Sequence, residues 1–361
     1  MNILIDIGHP AHVHLLKYCI NILKGKGHQI FITVKDLPVA KKLLNAEGFD
    51  FIEIGSKTDS IFGKALNQIK YNLKVLKIVH KHNIDIGIGS SLTLAHVSCI
   101  SKMKSIVLDD DDDSVEPLFV KFGHPFANVI LTPDSITRKS KKSIYYAGTH
   151  ELAYLHPNRF QPDPKVLDEL GLNLQSKFFI LRFVAFKGHH DIGHLGLSIE
   201  QKKKIVDLLK QYGKVFITSE KEIEPELDEF RLPIAPEKIH SLMYYSTMFI
   251  GDSQTMTSEA GILGTPALKC NSFAGKLSVP NEMEKKYDLC YSCTPLHFDD
   301  LIEKIKHNLS NDNIKKEWQN KRQKFLNEKM DVTAFLVWFI ENYPKSQQIF
   351  KDNSDIQLNF K

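Results

Sequence analysis

Groups able to take up or release protons near neutrality are gathered into short runs of this chain. GHPAHVH (8–14) carries His9, His12 and His14 within six positions. Such imidazoles could act as acid and base, contact a phosphate, ligate a metal or simply be packed. SIVLDDDDDSVEP (105–117) carries five adjacent aspartates, Asp109 to Asp113, with Glu116 beyond them. Adjacent carboxylates repel one another, so partial burial raises the pKa of at least one and makes it a candidate general base. Asp110, Asp112 and Glu116 are the candidates; the alternative is a solvated acidic loop. In ILRFVAFKGHHDIGHLG (180–196), Arg182 and Lys187 could neutralise phosphate charge, with His189 and His190 in the same loop. GDSQTMTSEAGILGTPAL (251–268) reads as a strand ending at Asp252, then a helix beginning near Thr257 or Ser258. Its approach, Ser253, Gln254, Thr255 and Met256, offers free N–H groups at the positive end of a helix, which suits a diphosphate. Glu259, placed in the first turn, could accept from ribose hydroxyls. Alternatively Ser253 or Thr255 only caps the helix and Glu259 complements its dipole.

The elements that must position these groups alternate. Apolar runs at 2–7, 29–34, 49–54, 85–90, 104–109 and 129–133 are separated by helical periods, as in VHLLKYCINILKGKGH, which stops at Gly25 and Gly27. After AGTHELAYLHPNRFQPDP (147–164), whose prolines mark a linker, runs recur at 177–186, 214–219, 248–253 and 266–271. Alternation of this kind implies parallel sheets covered on both faces. The expected class is α/β, with two Rossmann-like, doubly wound parallel-sheet domains facing a central cleft at the carboxyl ends of their strands. The domains expected are 1–160 and 170–330, with 331–361 as a C-terminal helix and tail packing back toward the first. VTAFLVWFIENY (332–343) presents Phe335, Val337, Trp338 and Phe339 for that packing. Gly8 is expected to make the tight turn after the first strand. Gly148 and Thr149, with His150, fall at the domain junction, where they would line the cleft or act as a hinge.

Bulk properties exclude several classes. A net charge of +4 over 361 residues does not argue for nucleic acid as partner, and 42% hydrophobic with 25% charged residues is the balance of a globular protein. No run is long and apolar enough to span a membrane, and the N-terminus lacks signal-peptide layout, so a cytoplasmic location is expected. Five cysteines, with Cys290 and Cys293 in CYSC, give no disulfide framework and no complete zinc set. The helix FGKALNQIKYNLKVLKIVHKH (62–82) is amphipathic and basic: it could lie on anionic lipid at the inner face of a membrane, or face the core with a solvated lysine face.

The 251–268 segment resembles the donor-binding motif of GT-B nucleotide-sugar enzymes, the UDP-N-acetylglucosamine 2-epimerases and related glycosyltransferases. Asp252, Ser253, Glu259, Leu263, Gly264 and Pro266 match, whereas Gln254 and Thr255 stand where paired glycines are usual. Through DIGHPAHVHLLK, HPFANVILTP, AGTHELAYLHPNRFQPDP and SEAGILGTP, the whole chain resembles an uncharacterised bacterial and archaeal domain-of-unknown-function family of that superfamily. The resemblance implies the GT-B fold, a nucleotide sugar, UDP-linked, as substrate, and no bound cofactor or metal. It also implies acidic residues near 109–116 in the reaction, His9 and His12 at acid/base or phosphate duty, and a histidine–arginine loop contact near Arg182 and His189 or His190.

Three functions follow. The first is a metal-independent glycosyltransferase of cell-surface glycan or glycoconjugate synthesis, acting on a glycan or lipid-linked acceptor. The second is an epimerase-like isomerase; Ser90, where those enzymes have an aspartate, moves the preference to transfer. The third is a nucleotide-sugar-binding protein without catalysis. The oligomeric state is left open.

Overall fold

An apolar strand such as NILIDI needs cover on both faces, and a parallel sheet with helices on each side provides it. The computed structural model describes residues 1–56, 61–138, 140–183, 196–219 and 223–361, with the side chains of 61, 62 and 64 excepted. It divides into two units, Met1–Arg159 with Lys329–Lys361, and Phe160–Glu328.

The first unit is built on strands β1 (Asn2–Ile7), β2 (Gln29–Lys35), β3 (Ile52–Gly55), β4 (Ile86–Gly89), β5 (Lys104–Leu108), β6 (Val129–Pro133) and β7 (Ser143–Tyr146). All pair in parallel in the order β3-β2-β1-β4-β5-β6-β7, so the order reverses at β1 and β4. One face is covered by Tyr71, Val75 and Val79 of the helix Ile61–His82, with Leu94 and Val97 of Leu92–Cys99. The helix Pro10–Gly25 buries Val13, Leu16, Ile20 and Leu23, and the C-terminal helix Val332–Glu341 packs on it. At the reversal, Gly89 has φ 150° and a Cβ there would lie 2.6 Å from the Asp6 carbonyl oxygen, so only glycine lets the two strands meet. Asp6, buried inside β1, is satisfied by the Thr33 hydroxyl at 2.7 Å and the Ser91 hydroxyl at 2.5 Å.

The second unit carries β8 (Phe178–Phe183), β9 (Lys214–Ser219), β10 (Met248–Gly251), β11 (Ala267–Cys270) and β12 (Cys290–Cys293), parallel in the order β12-β11-β10-β8-β9. The core on one face joins Leu181, Ile205, Ile250, Leu268 and Leu301. The order reverses at β8 and β10, which lead respectively to residues outside the described set and to Asp252 and Ser253.

Several sequence expectations change. Strands β7 and β12 are additions. CYSC is a strand, in which residues three apart point to opposite faces; Cys293 joins the core beneath the sheet while Cys290 meets the Pro280 carbonyl, so the pair cannot chelate together. The linker reading of 147–164 fails over its first part. Thr149 to His156 are all buried, because the short helix Leu152–Leu155 packs on Pro10–Gly25 and Val332–Glu341, and the Thr333 hydroxyl donates to the Ala153 carbonyl at 2.6 Å. Phe335 of that last helix is buried among Tyr146, Phe339, Phe350 and Phe360.

Candidate functional site

In the first unit, the ends of three strands, β1, β5 and β7, bring polar side chains together. Beyond β1, His9 is the N-cap of Pro10–Gly25: its Nδ1 accepts from the Ala11 N–H at 3.2 Å, and Pro10 opens the helix. The Gly8 N–H donates to His12 Nδ1 at 3.2 Å. In the neutral ring that arrangement assigns the proton to Nε2. Burial, then the neighbouring His9 and His150, lower the His12 pKa to about 3. His12 is therefore a neutral hydrogen-bond donor rather than a titrating base in this geometry. Gly8 itself does not have a left-handed backbone, and a Cβ there would make only ordinary contact with His12 at 3.6 Å. The turn does not require glycine, contrary to expectation. His14 lies further along the helix, beside Tyr154 at 5.5 Å between ring centroids.

Beyond β5 the five aspartates separate into different roles, so the picture of one solvated loop does not hold. Asp109 is buried; its Oδ2 accepts from His124 Nε2 at 2.6 Å and from Arg138 Nη1 at 2.5 Å. The buried Arg138 also donates to the Asp111 carbonyl at 2.6 Å and pairs through Nε with Asp113 at 3.3 Å. One guanidinium thus staples the run, and Asp109 and Asp113 are committed to it. Asp111 is exposed as a residue, yet partial burial of its carboxyl and the charges of Asp110, Asp109 and Glu116 push it up to about 8. Asp112 and Glu116 are half-buried; the Asp112 carbonyl takes the Val115 and Glu116 N–H groups, and Glu116 precedes the helix Pro117–Phe122.

Asp110 differs from all of these. Its Oδ2 accepts from His150 Nδ1 at 3.0 Å, while 37% of its side chain stays accessible. Burial would raise its pKa, but His150, as charge and as hydrogen-bond donor, and then His12 hold it below the usual carboxylate range. Burial likewise opposes the charging of His150, and Asp110 outweighs it, so the His150 pKa rises. Among the described residues, the buried Nε2 atom of His150 has no hydrogen-bond partner. Next along the chain, Glu151 is raised to about 7 by burial and by Asp110, against the pull of a backbone N–H and the Thr149 hydroxyl. The sequence places Gly148, Thr149 and His150 at this junction and does not single out Glu151. Thr149 is fully buried, and Gly148 serves packing: a Cβ there would lie 2.7 Å from Val332 Cγ2. The signal that would have found Glu151 is β7 itself, SIYY, whose end delivers AGTHE to the same sheet edge.

In the second unit the helix after β10 is Gln254–Ile262, three or four residues longer at its start than expected, because Ser253 caps it by accepting from the Met256 N–H at 3.4 Å. Gln254 and Thr255 are consequently its first two residues, and Glu259 sits in the second turn. Thr255 is exposed and Met256 half-buried. Glu259 is buried and accepts from His240 Nε2 at 3.0 Å. Unexpectedly, Lys269 of β11 is fully buried and donates to Gln254 Oε1. Burial lowers its pKa, with Cys290, Glu284 and Cys293 acting in opposition. Arg182 donates to the Thr218 hydroxyl at 2.9 Å across β8 and β9. Lys187, His189 and His190 lie outside the described residues. Among the described residues no group of three His, Cys, Asp or Glu side chains forms a metal-ligand set.

The family model for a protein of unknown function, DUF354, matches residues 1–342. The chain is 22% identical over 296 residues to the uncharacterized protein MJ0665 of Methanocaldococcus jannaschii, covering 75% of this chain and 82% of that one. Among solved structures, UDP-GlcNAc 2-epimerase from Neisseria meningitidis, bound to UDP-GlcNAc, matches with TM-score 0.67 and 14% identity, over 98% of this chain and 99% of that one. The M. jannaschii UDP-GlcNAc 2-epimerase, in complex with UDP-GlcNAc and UDP, matches with TM-score 0.62 and 14% identity, over 86% and 93%. A spinosyn rhamnosyltransferase, complexed with spinosyn aglycone, matches with TM-score 0.64 and 12% identity, over 95% and 100%. The fold is the GT-B fold of these epimerases and glycosyltransferases.

Proposed function

We propose that this chain, which belongs to the DUF354 family of proteins of unknown function, is a glycosyltransferase that moves a sugar from a nucleotide donor, UDP-linked, to a hydroxyl acceptor. The observation that carries the reading is the Asp110–His150 pair. Asp110 is accessible, held ionised, and backed by a histidine that fixes its orientation at 3.0 Å. A carboxylate so placed takes the proton of an acceptor hydroxyl as the hydroxyl attacks the sugar carbon and the nucleoside diphosphate leaves. His12, neutral and presenting Nε2–H, donates a hydrogen bond to substrate oxygen without adding charge, and His9 caps the helix beside it.

The second unit supplies the hold on the donor. The N–H groups opening Gln254–Ile262 suit the diphosphate, and Ser253 keeps that end ordered. Lys269 turns the Gln254 amide so that Oε1 faces the ammonium, which leaves the Nε2 donor for an anion. Glu259, held by His240, is assigned to the ribose hydroxyls, and Arg182 to phosphate charge. Metal-free stabilisation of the leaving group by such fixed donors is electrostatic.

One observation favours the isomerase reading instead. Glu151, raised to about 7, and Asp110, held ionised, are two carboxyl groups whose environments push them apart, which is how an acid and a base are made from like residues. A screen of UDP-, GDP-, CMP- and dTDP-sugars by thermal shift, followed by NMR of the stabilising compound with protein alone, separates the readings. Stabilisation without change of the sugar is the transferase result; epimerised sugar in the absence of acceptor contradicts it, and no stabilisation by any nucleotide contradicts both.

A further inference from the structure

The helix Ile61–His82 carries two apolar stripes, and only one of them is used by the fold. Tyr71, Val75 and Val79 face the core. On the opposite side of the helix, at three-and-four spacing, Leu66, Ile69 and Leu73 are 61%, 57% and 55% exposed. A second exposed group adjoins them. Asn72 donates to His96 Nδ1 at 3.1 Å, His96 Nε2 donates to the Phe122 carbonyl at 2.7 Å, and the His96 ring meets Phe126 edge-on at 5.2 Å. Phe122 and Phe126 are 47% and 43% exposed, and Leu118 of the same short helix 63%. Single exposed apolar residues are ordinary, but a contiguous set bound together by its neighbours marks an interaction surface.

Charge decides the occupant. The helix sequence IFGKALNQIKYNLKVLKIVHKH contains no acidic residue, while Lys70, Lys74, Lys77 and Lys81 form a row beside the exposed stripe. Lys121 stands among the aromatic residues of the second group. A second copy packing this helix antiparallel on its own, about a two-fold axis across it, would set lysine row against lysine row, with no carboxylate on the helix to relieve it. An apolar stripe flanked by a row of lysines is instead the pattern of a helix lying in the interface of an anionic bilayer. We propose that this face of the first unit docks on anionic phospholipid, with Leu66, Ile69 and Leu73 entering the headgroup boundary and the lysine row contacting lipid phosphates. The proposal is independent of the activity assigned above.

The test is co-sedimentation of the full chain with vesicles of phosphatidylcholine alone and of phosphatidylcholine containing phosphatidylglycerol. The expected result is binding to the second only, weakened by salt. Ile69→Asp with Leu73→Asp should lower the bound fraction at least about tenfold, and Lys70→Glu with Lys74→Glu and Lys77→Glu should do the same. Both sets alter exposed positions, so unchanged melting temperatures verify folding. Wild-type protein that stays in the supernatant with anionic vesicles overturns the proposal. So does equal binding by wild type and the aspartate variant, or a dimer in sedimentation velocity that Leu73→Asp dissociates while vesicles capture nothing.

Discussion

The two units solve the same architectural problem with opposite electrostatics. Each ends its central strands at a reversal of strand order, where open parallel sheets place ligands. In the first unit that edge holds charges in conflict: Asp109 tied to Arg138, Asp110 to His150, and Glu151 kept near its point of ionisation. In the second it holds a hydroxyl cap, a helix N-terminus, one ammonium turned on an amide, and a buried carboxylate, Glu259, held by His240. Charges that compete for protons are what a reaction needs, whereas donors fixed in place are what grip a phosphate at constant pH. That difference is the ground on which we propose chemistry for the first unit and donor binding for the second.

The strongest challenge to that contrast is Arg138→Leu. It should cost about 3–5 kcal/mol, because it removes the cation from the buried Asp109 and leaves it only its hydrogen bond with His124, and the loss should appear as a large drop in melting temperature. If stability is unchanged, the guanidinium is not the staple of the aspartate run. The Glu151 carboxyl gives a comparable effect that depends on pH. With its folded pKa near 7, above the unfolded value, its contribution is complete below the unfolded pKa and fades as pH rises toward 7. Wild type should therefore lose about 3 kcal/mol relative to Glu151→Gln between pH 4 and 7, measured by urea unfolding. Parallel stability profiles would refute that burial.

These two predictions rest on groups that were hardly legible from sequence, and the reason is physical. Apolar alternation locates most of both sheets, since strands buried on two faces are runs of Ile, Val and Leu. It misses β7 and β12 because SIYY and CYSC lack the run of Ile, Val and Leu that marks the other strands. The aspartate run shows the limit more sharply. Five identical side chains carry no internal distinction, and only the approach of Arg138 and His150 from distant segments divides scaffold from chemistry. The helix after β10 is legible in its place after the strand, with Ser253 at its approach. Its start was misplaced because a serine cap looks the same wherever the first turn begins.

Smaller effects sharpen the contrast from the second unit. Glu259→Gln should weaken donor binding about tenfold with turnover at saturating donor retained, as expected for one charge-assisted hydrogen bond; calorimetry and initial rates check it, and an unchanged Kd removes the ribose role. Ser253→Ala should cost about 1 kcal/mol of stability through the lost cap, visible in thermal unfolding, and no loss would mean the cap is dispensable.

The division of labour is tested most directly at Asp110. Asp110→Asn keeps the size of the side chain and removes its capacity to take a proton. With the nucleotide sugar that stabilises wild type, nucleoside diphosphate release and donor affinity should be measured side by side. The account predicts a fall in turnover of about 10²–10⁴-fold with donor affinity essentially unchanged. Turnover at the wild-type rate, or a loss confined to donor affinity, would contradict it.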